Sequence, residues 1–284
     1  MSIGNVVAGG TGKTPLTLLL ANLFSHRRVA ILSRGASLQG SLADEPLLLA
    51  RRCPSALVYA GKDRILSAKR AVENQADLLL LDDGFQHRKL FRDIDLVLLS
   101  AERPFSNGRY LPCGFLRERP ERVRQASMVC VNPIHSEEEL EEWKKTIPCP
   151  ACCIGVRLKV KRLVPDLSLQ GVPAALFSGI ANPDSFKKIA LDLGALILDE
   201  WRLADHEAPS IRDLQNFALH ARSLGAKVLL CTEKDAVKRS ENEPLALPLV
   251  YPEMEMVVTA GHEHWQNLVD KIEEKIDNYR TYGK

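Results

Sequence analysis

The 284-residue sequence predicts an α/β protein, with a doubly wound parallel sheet in its first half and a second, smaller α/β domain after it. Three observations lead there. Short, unbroken aliphatic runs recur at Val29 to Leu32, Leu78 to Leu81, Ile94 to Leu99 and Met128 to Val131, and such runs suit strands buried on both faces. Helical segments fall between several of them, notably Leu16 to Phe24 and Arg64 to Asn74. A glycine-rich turn separates the first strand from the first helix, at the carboxyl end of a strand where open α/β sheets keep their ligands.

Taken in order, the first strand candidate is Ser2 to Val7, which begins almost at Met1 and feeds AGGTGKTP, Ala8 to Pro15. Gly9, Gly10 and Gly12 allow a backbone turn whose N–H groups point inward and bind phosphate oxygens. Thr11 lies in the same turn. Lys13 is expected to reach the β- and γ-phosphates, and the Thr14 hydroxyl to ligate Mg²⁺. Pro15 sits in a first helical turn, where its missing N–H costs nothing, and the helix directs its positive end at the anion. The strict pattern has glycine five positions before Gly12, where this chain has Val7. The sheet is thus expected to be of the phosphate-loop NTPase type, binding a nucleotide with Mg²⁺.

After Met128 to Val131 comes a Pro- and Cys-rich patch, Pro148 to Cys153, and then the alternating Val156 to Val164, read as a connector with a short strand or hairpin. A second α/β series follows. Its strand candidates are Val172 to Phe177, Leu196 to Leu198, Val228 to Leu230 and Leu249 to Val258, with helices near Ser185 to Leu193, Ile211 to Leu224 and His264 to Ile276. The expected division is a nucleotide-binding domain over 1–153, a linker hairpin over 154–165 and a second domain over 166–284, its last helix packing back on the first. The ligand cleft is expected between the two domains.

Composition narrows the partners. A net charge of +2 argues against a dedicated nucleic-acid binder, and seven cysteines without framework spacing fit a reducing compartment. CPACC, Cys149 to Cys153, has one C-x-x-C and no second pair or nearby histidines to complete a metal site. No apolar run reaches transmembrane length.

Leu78 to Asp93 places Asp82 and Asp83 at the end of a buried strand, where a phosphate-loop protein holds Mg²⁺ directly or through water. SRG (Ser33 to Gly35) and DEP (Asp44 to Pro46) follow the preceding strand, and from there Asp44 can approach the γ-phosphate from the acceptor side. FSGIANP (Phe177 to Pro183), Asp205 with His206, and TEKDAVK (Thr232 to Lys238) fall at strand ends in the second half.

The ordered series GNVVAGGTGKTP, SRG, DEP, DDGFQHRKLFRD, NGRYLPCGFLRE, FSGIANP, DH and TEKDAVK resembles the tetraacyldisaccharide 4'-kinase family of lipid A biosynthesis, over nearly the whole chain. The resemblance implies transfer of the γ-phosphoryl of ATP to the 4'-hydroxyl of an acylated disaccharide 1-phosphate. It implies that Lys13 and Thr14 serve MgATP, that Asp82, Asp83 and Glu118 belong to the metal site, and that Asp44 acts on the acceptor hydroxyl with His206 as its partner. Glu45, Arg64, Gln86, His87 and Arg117 match motif positions expected to bind substrate. The implied setting is a monomer at the cytoplasmic face of the Gram-negative inner membrane. The family usually carries a hydrophobic anchor ahead of the phosphate loop, expected to be absent here. Ala36, where an aromatic is usual, and Glu207, where His often follows, depart from the pattern.

The competing expectation is a GTPase or ATPase switch in cofactor or metal-centre assembly. Many such proteins carry a lysine just before the glycine pair, where this chain has Ala8, and the N/T-K-x-D guanine motif is out of step with Thr232-Glu233-Lys234-Asp235.

Overall fold

Aliphatic strands without polar alternation need cover on both faces, and each half of the chain provides it as three layers, helix on sheet on helix. The computed structural model describes residues 1–35, 44–147, 152–205, 207–239 and 244–282. The chain divides into two compact units, Met1–Lys159 with Glu255–Lys284, and Val160–Met254.

In the first unit the strands are β1 (Ser2–Gly4), β2 (Val29–Ser33), β3 (Leu57–Ala60), β4 (Leu78–Asp82), β5 (Asp95–Ser100), β6 (Met128–Asn132) and the start of β7 (Cys153–Val164). They lie in the order β3-β2-β4-β1-β5-β6-β7, every pair parallel. From β1 the chain moves out to β2 and β3, returns to β4, and then crosses β1 to reach β5. That reversal leaves the carboxyl ends of β1 and β4 side by side, at the switch point where doubly wound sheets bind ligands.

The helices of this unit are α1 (Lys13–Leu23), α2 (Asp44–Arg52), α3 (Arg64–Glu73) and α4 (Glu137–Thr146). One face of the sheet, with Ile3, Ile31, Leu80, Leu96 and Leu98, packs against Leu16, Leu20 and Phe24 of the α1 region and Leu49 of α2. Alternate residues face the other way: Val97, Leu99, Val129 and Val131 pack with Leu140 and Trp143 of α4, and Ala30, Leu32 and Leu81 with Ala68 and Ala71 of α3.

The second unit orders its strands β11-β10-β8-β9, all parallel where paired, from β8 (Pro173–Ser178), β9 (Leu196–Arg202), β10 (Val228–Leu230) and the first half of β11 (Leu249–Ala260). Helix α6 (Ile211–Ser223) and the short α7 (Glu233–Ala236) cover Ala175, Phe177 and Leu229, while α5 (Pro183–Asp192) covers Ala174, Leu176 and Leu230.

The sheet-and-helix class is as expected, but several details differ. Val156 to Val164 is part of one twelve-residue strand rather than a hairpin, because Cys153, Ile154 and Gly155 pair with β6 and extend the alternating stretch backwards. The contact division returns Glu255–Lys284 to the first unit. The final helix, α8 (His262–Tyr282), inserts Leu268, Ile272 and Ile276 into the core built on Met1, Leu78 and Leu96. Strand β1 ends at Gly4 rather than Val7, since residues 5–12 already form the turn into α1. Cys149 lies outside the described residues, and neither Cys152 nor Cys153 is in a disulfide among the described residues. No helix among the described residues is long and apolar enough to cross a membrane.

Candidate active site

Helix α1 begins without the usual protection. Its N-cap is Gly12 at φ 100°, no side chain caps it, and its first turn holds no acidic residue. By contrast, Ser136, Asn182 and Ser210 cap α4, α5 and α6 through their side-chain oxygens. A helix start that leaves its N–H groups to an outside partner, preceded by Gly9 at φ 120°, is suited to an anion. A Cβ on Gly12 would lie 2.9 Å from Met256 Cε, the far end of a flexible side chain that can give way, so it is the φ of 100° that calls for glycine there.

Lys13 Nζ lies 3.6 Å from Asp83 Oδ1 and donates to the Gly9 carbonyl at 3.4 Å. Thr14 is buried at the helix start, and Thr17, one turn on, donates to Asp82 Oδ1 at 3.1 Å. Asp82 closes β4 and is only 2% exposed. Burial, then the neighbouring Glu45 and Asp83 carboxylates, push its acid constant up to about 6, against the pull of Lys13 and the Thr17 hydroxyl.

Asp83 behaves oppositely. Its backbone turns to φ 54°, and its two oxygens accept from Arg117 Nη1 and Nη2 at 2.8 and 2.6 Å. Burial works to raise its acid constant, but the Arg117 bonds and the Lys13 charge outweigh it and hold the group below the usual carboxylate range. Glu118 is engaged by Arg122 at 3.0 Å and by Arg88 at 3.5 Å, and the Arg122 guanidinium lies 5.0 Å from the Phe85 ring centre. Among the described residues, no three His, Cys, Asp or Glu side chains converge on one metal position. Thr14 and Asp82 are the members of the expected metal set not held by an arginine. A partly hydrated Mg²⁺ fits them, because it takes one or two protein oxygens and completes its shell with phosphate and water.

Asp44 and Glu45 are the first residues of α2. Glu45 joins Ser33, Arg34, Gly35, Lys62, Asp82 and Asp83 around a cavity of about 290 Å³. Arg64, the first residue of α3, is 3% exposed; its charge is disfavoured by burial and supported by Asp82 and Asp83. Gln86 donates to the Asn5 carbonyl at 2.8 Å. Burial, then the charges of Arg64, Arg92 and Lys89, lower the acid constant of His87. Arg64 Nε, Gln86 Oε1, His87 Nε2 and Arg117 Nε are buried and have no hydrogen-bond partner among the described residues. Unsatisfied polar atoms are rare in native interiors, and four of them on expected substrate residues point to a polar ligand.

In the second unit, His206 lies outside the described residues. The chain beside it is held by the TEKDAVK motif: Lys238 Nζ donates to the Glu207 carbonyl at 3.2 Å, and Asp235 accepts from Gly179 N–H at 3.2 and 3.3 Å and from Thr232 Oγ1 at 2.6 Å.

Sequence reasoning did not single out Asn132 or Lys62, and it quoted Asn5 and Arg34 only as members of the motifs GNVVAGGTGKTP and SRG, without a role. Lys62 lines the cavity as an isolated cation, which sequence cannot tell from a solvated charge.

A glycine-started, uncapped helix with its lysine beside a buried strand-end aspartate defines a phosphate-loop nucleotide-binding protein of the doubly wound class. Residues 1–274 match the family described as tetraacyldisaccharide-1-P 4'-kinase, LpxK. The tetraacyldisaccharide 4'-kinase of Syntrophus aciditrophicus is 36% identical, covering 91% of this chain and 80% of that protein. That of Chlamydia abortus is 32% identical over 96% and 82%. A crystal structure of LpxK from Aquifex aeolicus in complex with ATP aligns with a TM-score of 0.72 and 26% identity, over 95% of this chain and 87% of that one. The chain belongs to the tetraacyldisaccharide 4'-kinase family, as its motifs led us to expect.

Proposed function

We propose that this chain is an ATP- and Mg²⁺-dependent kinase that phosphorylates the 4'-hydroxyl of tetraacyldisaccharide 1-phosphate, working as a peripheral protein on the cytoplasmic face of the inner membrane. The observation that carries this reading is the uncapped start of α1 with Lys13 beside Asp82 and Asp83. Family membership supplies the acceptor.

Phosphoryl transfer through a loose transition state is mostly positioning and charge neutralisation. The N–H groups of residues 9–14 and the Lys13 ammonium hold the β- and γ-phosphates. Thr14 and Asp82 hold Mg²⁺, which when bound neutralises charge on the phosphate oxygens. Arg117 keeps the Asp83 carboxylate neutralised, so Lys13 can turn to phosphate without leaving a buried charge alone. Asp44 accepts the acceptor hydroxyl's proton and His206 orients Asp44, a general-base contribution of about 10²–10⁴-fold. Glu45, Arg64, Gln86 and His87 bind the sugar and its polar groups. Asp44 belongs to the first unit and position 206 to the second.

The test is ATP-dependent phosphate transfer to tetraacyldisaccharide 1-phosphate by the intact chain, Asp44→Ala and Lys13→Ala. Asp44→Ala is expected to lose turnover with nucleotide affinity retained, and Lys13→Ala to lose both. Nucleotide hydrolysis without transfer in the intact chain would move the reading to a partner switch.

A further inference from the structure

Thr11 stands at the crest of the phosphate loop and is held from two directions by asparagines. Asn5, fully buried just past the end of β1, donates from Nδ2 to Thr11 Oγ1 at 2.9 Å. Asn132, the last residue of β6, donates from its own Nδ2 to the Thr11 carbonyl at 3.2 Å. Asn5 is committed further: its Oδ1 accepts from Arg117 Nη2, and its backbone carbonyl accepts from Gln86 Nε2 at 2.8 Å. One buried side chain therefore ties the loop to the Arg117–Asp83 pair, and a second fixes the same residue from a strand two places away in the sheet.

A glycine loop needs such fixing. Three glycines between residues 9 and 12 give the segment wide backbone freedom, which must be lost each time phosphate binds. Holding Thr11 beforehand at its hydroxyl and its carbonyl reduces that loss, so the loop amides meet the phosphates already aligned. Both asparagines act as donors to Thr11, so neither takes up a backbone N–H of the loop, while the Thr11 N–H itself donates to the Gly9 carbonyl at 3.1 Å.

We propose that Asn5 and Asn132 are positioning residues for MgATP, acting through Thr11 rather than by touching nucleotide. The inference rests on the reading of residues 9–14 as the phosphate loop. Loss of either bond is expected to raise the KM for MgATP by about 3- to 10-fold, with a smaller change in the KM for the lipid acceptor.

The experiment measures both KM values and kcat for the full chain and for Asn5→Ala, Asn132→Ala and Thr11→Val, the two asparagine variants also combined with Thr11→Val. It adds the rise in melting temperature that saturating MgATP produces in each variant. Asn5 bonds the threonine hydroxyl, so Asn5→Ala should weaken MgATP in the Thr11 background and have little further effect in the Thr11→Val background. Asn132 bonds the backbone, so its effect should be the same in both. Equal Asn5→Ala effects in the two backgrounds, or a lowered melting temperature with unchanged KM for MgATP, would overturn the proposal. If Asn5→Ala does not fold, Thr11→Val alone remains decisive: an unchanged KM for MgATP overturns the Asn5 arm. Lys13→Ala is the control for the underlying reading. If it leaves MgATP binding intact, the phosphate-loop assignment itself has failed; if it abolishes binding while the asparagine variants do nothing, only the bracing role has.

Discussion

Two adjacent carboxylates, Asp82 and Asp83, have opposite electrostatic fates, and each fate makes a prediction. Asp82 keeps its proton up to about pH 6 in the folded protein, against 3.8 as its ordinary value. The folded state therefore binds more protons than the unfolded state between these limits, so this group's contribution to stability falls as pH rises from about 4 to 6 and stays low above. Asp82→Asn removes the penalty. In the absence of Mg²⁺ and nucleotide, the variant should be more stable than the parent at pH 7 by roughly 2–3 kcal/mol and equal to it near pH 4, while its transferase activity collapses. Denaturant titrations at both pH values check this. For Asp83 the sign reverses. Its constant lies below the usual range, so the Arg117 pair stabilises the fold above about pH 4 and the benefit fades on acidification. Arg117→Met should cost about 1–3 kcal/mol at pH 7, allowing for solvent screening at a partly exposed carboxylate, and less at pH 3. Lys13 and Asp82 were legible in the sequence because local spacing encodes them. The Arg117–Asp83 pair was not, because a contact between residues 34 apart leaves no periodic trace, and the Asn5–Thr11 bond was not, because it depends on how an irregular glycine turn folds back on the end of β1.

At the scale of elements, β1 and the turn at 83–87 define how closely the site is built. A Cβ on Gly4 would stand 2.5 Å from Phe85 Cβ and 2.8 Å from its backbone nitrogen. Gly4→Ala must therefore push the turn that carries Asp83, Gln86 and His87 away from the strand. A loss of about 1–3 kcal/mol is expected, with a raised KM for MgATP, measurable by melting and by initial rates. Most strands were legible as aliphatic runs within a residue or two of their bounds, but β1 stops three residues short of Val7, β7 begins three residues before Val156, β9 runs four residues past Leu198, and β3 was not singled out. Helices α2 and α4 were missed for physical reasons. Asp44-Glu45-Pro46 reads as a turn until it is seen as an acidic first helical turn, and α4 buries only Leu140 and Trp143 among its charges, too few to show a period. Ser136 and its three following glutamates were the available signal for α4.

At the scale of the molecule, the first unit depends on residues from both ends of the chain. Leu268, Ile272 and Ile276 of α8 sit in the same core as Met1, Ile3 and Leu16, and Arg280, Lys275 and Glu273 pair with Asp77, Asp93 and Arg27. Ile272→Ala should cost about 2–4 kcal/mol and weaken nucleotide binding at 37 °C through loss of folded protein, with kcat per folded molecule retained. Differential scanning fluorimetry with active-site titration separates the two effects. The chain divides into two compact units, and the last helix was expected to pack back on the first; what composition could not show is that the second half of β11, from Glu255, returns with it, because one continuous strand gives no sign of where it passes from one unit to the other. That return also orders events on the ribosome. Unit two is an insertion, complete once Met254 has emerged, whereas the nucleotide-binding half must wait with an uncovered apolar face until α8 has followed. The catalytic half is thus the last to mature, and any premature stop within the final helix yields a chain whose inserted half is whole and whose kinase is not.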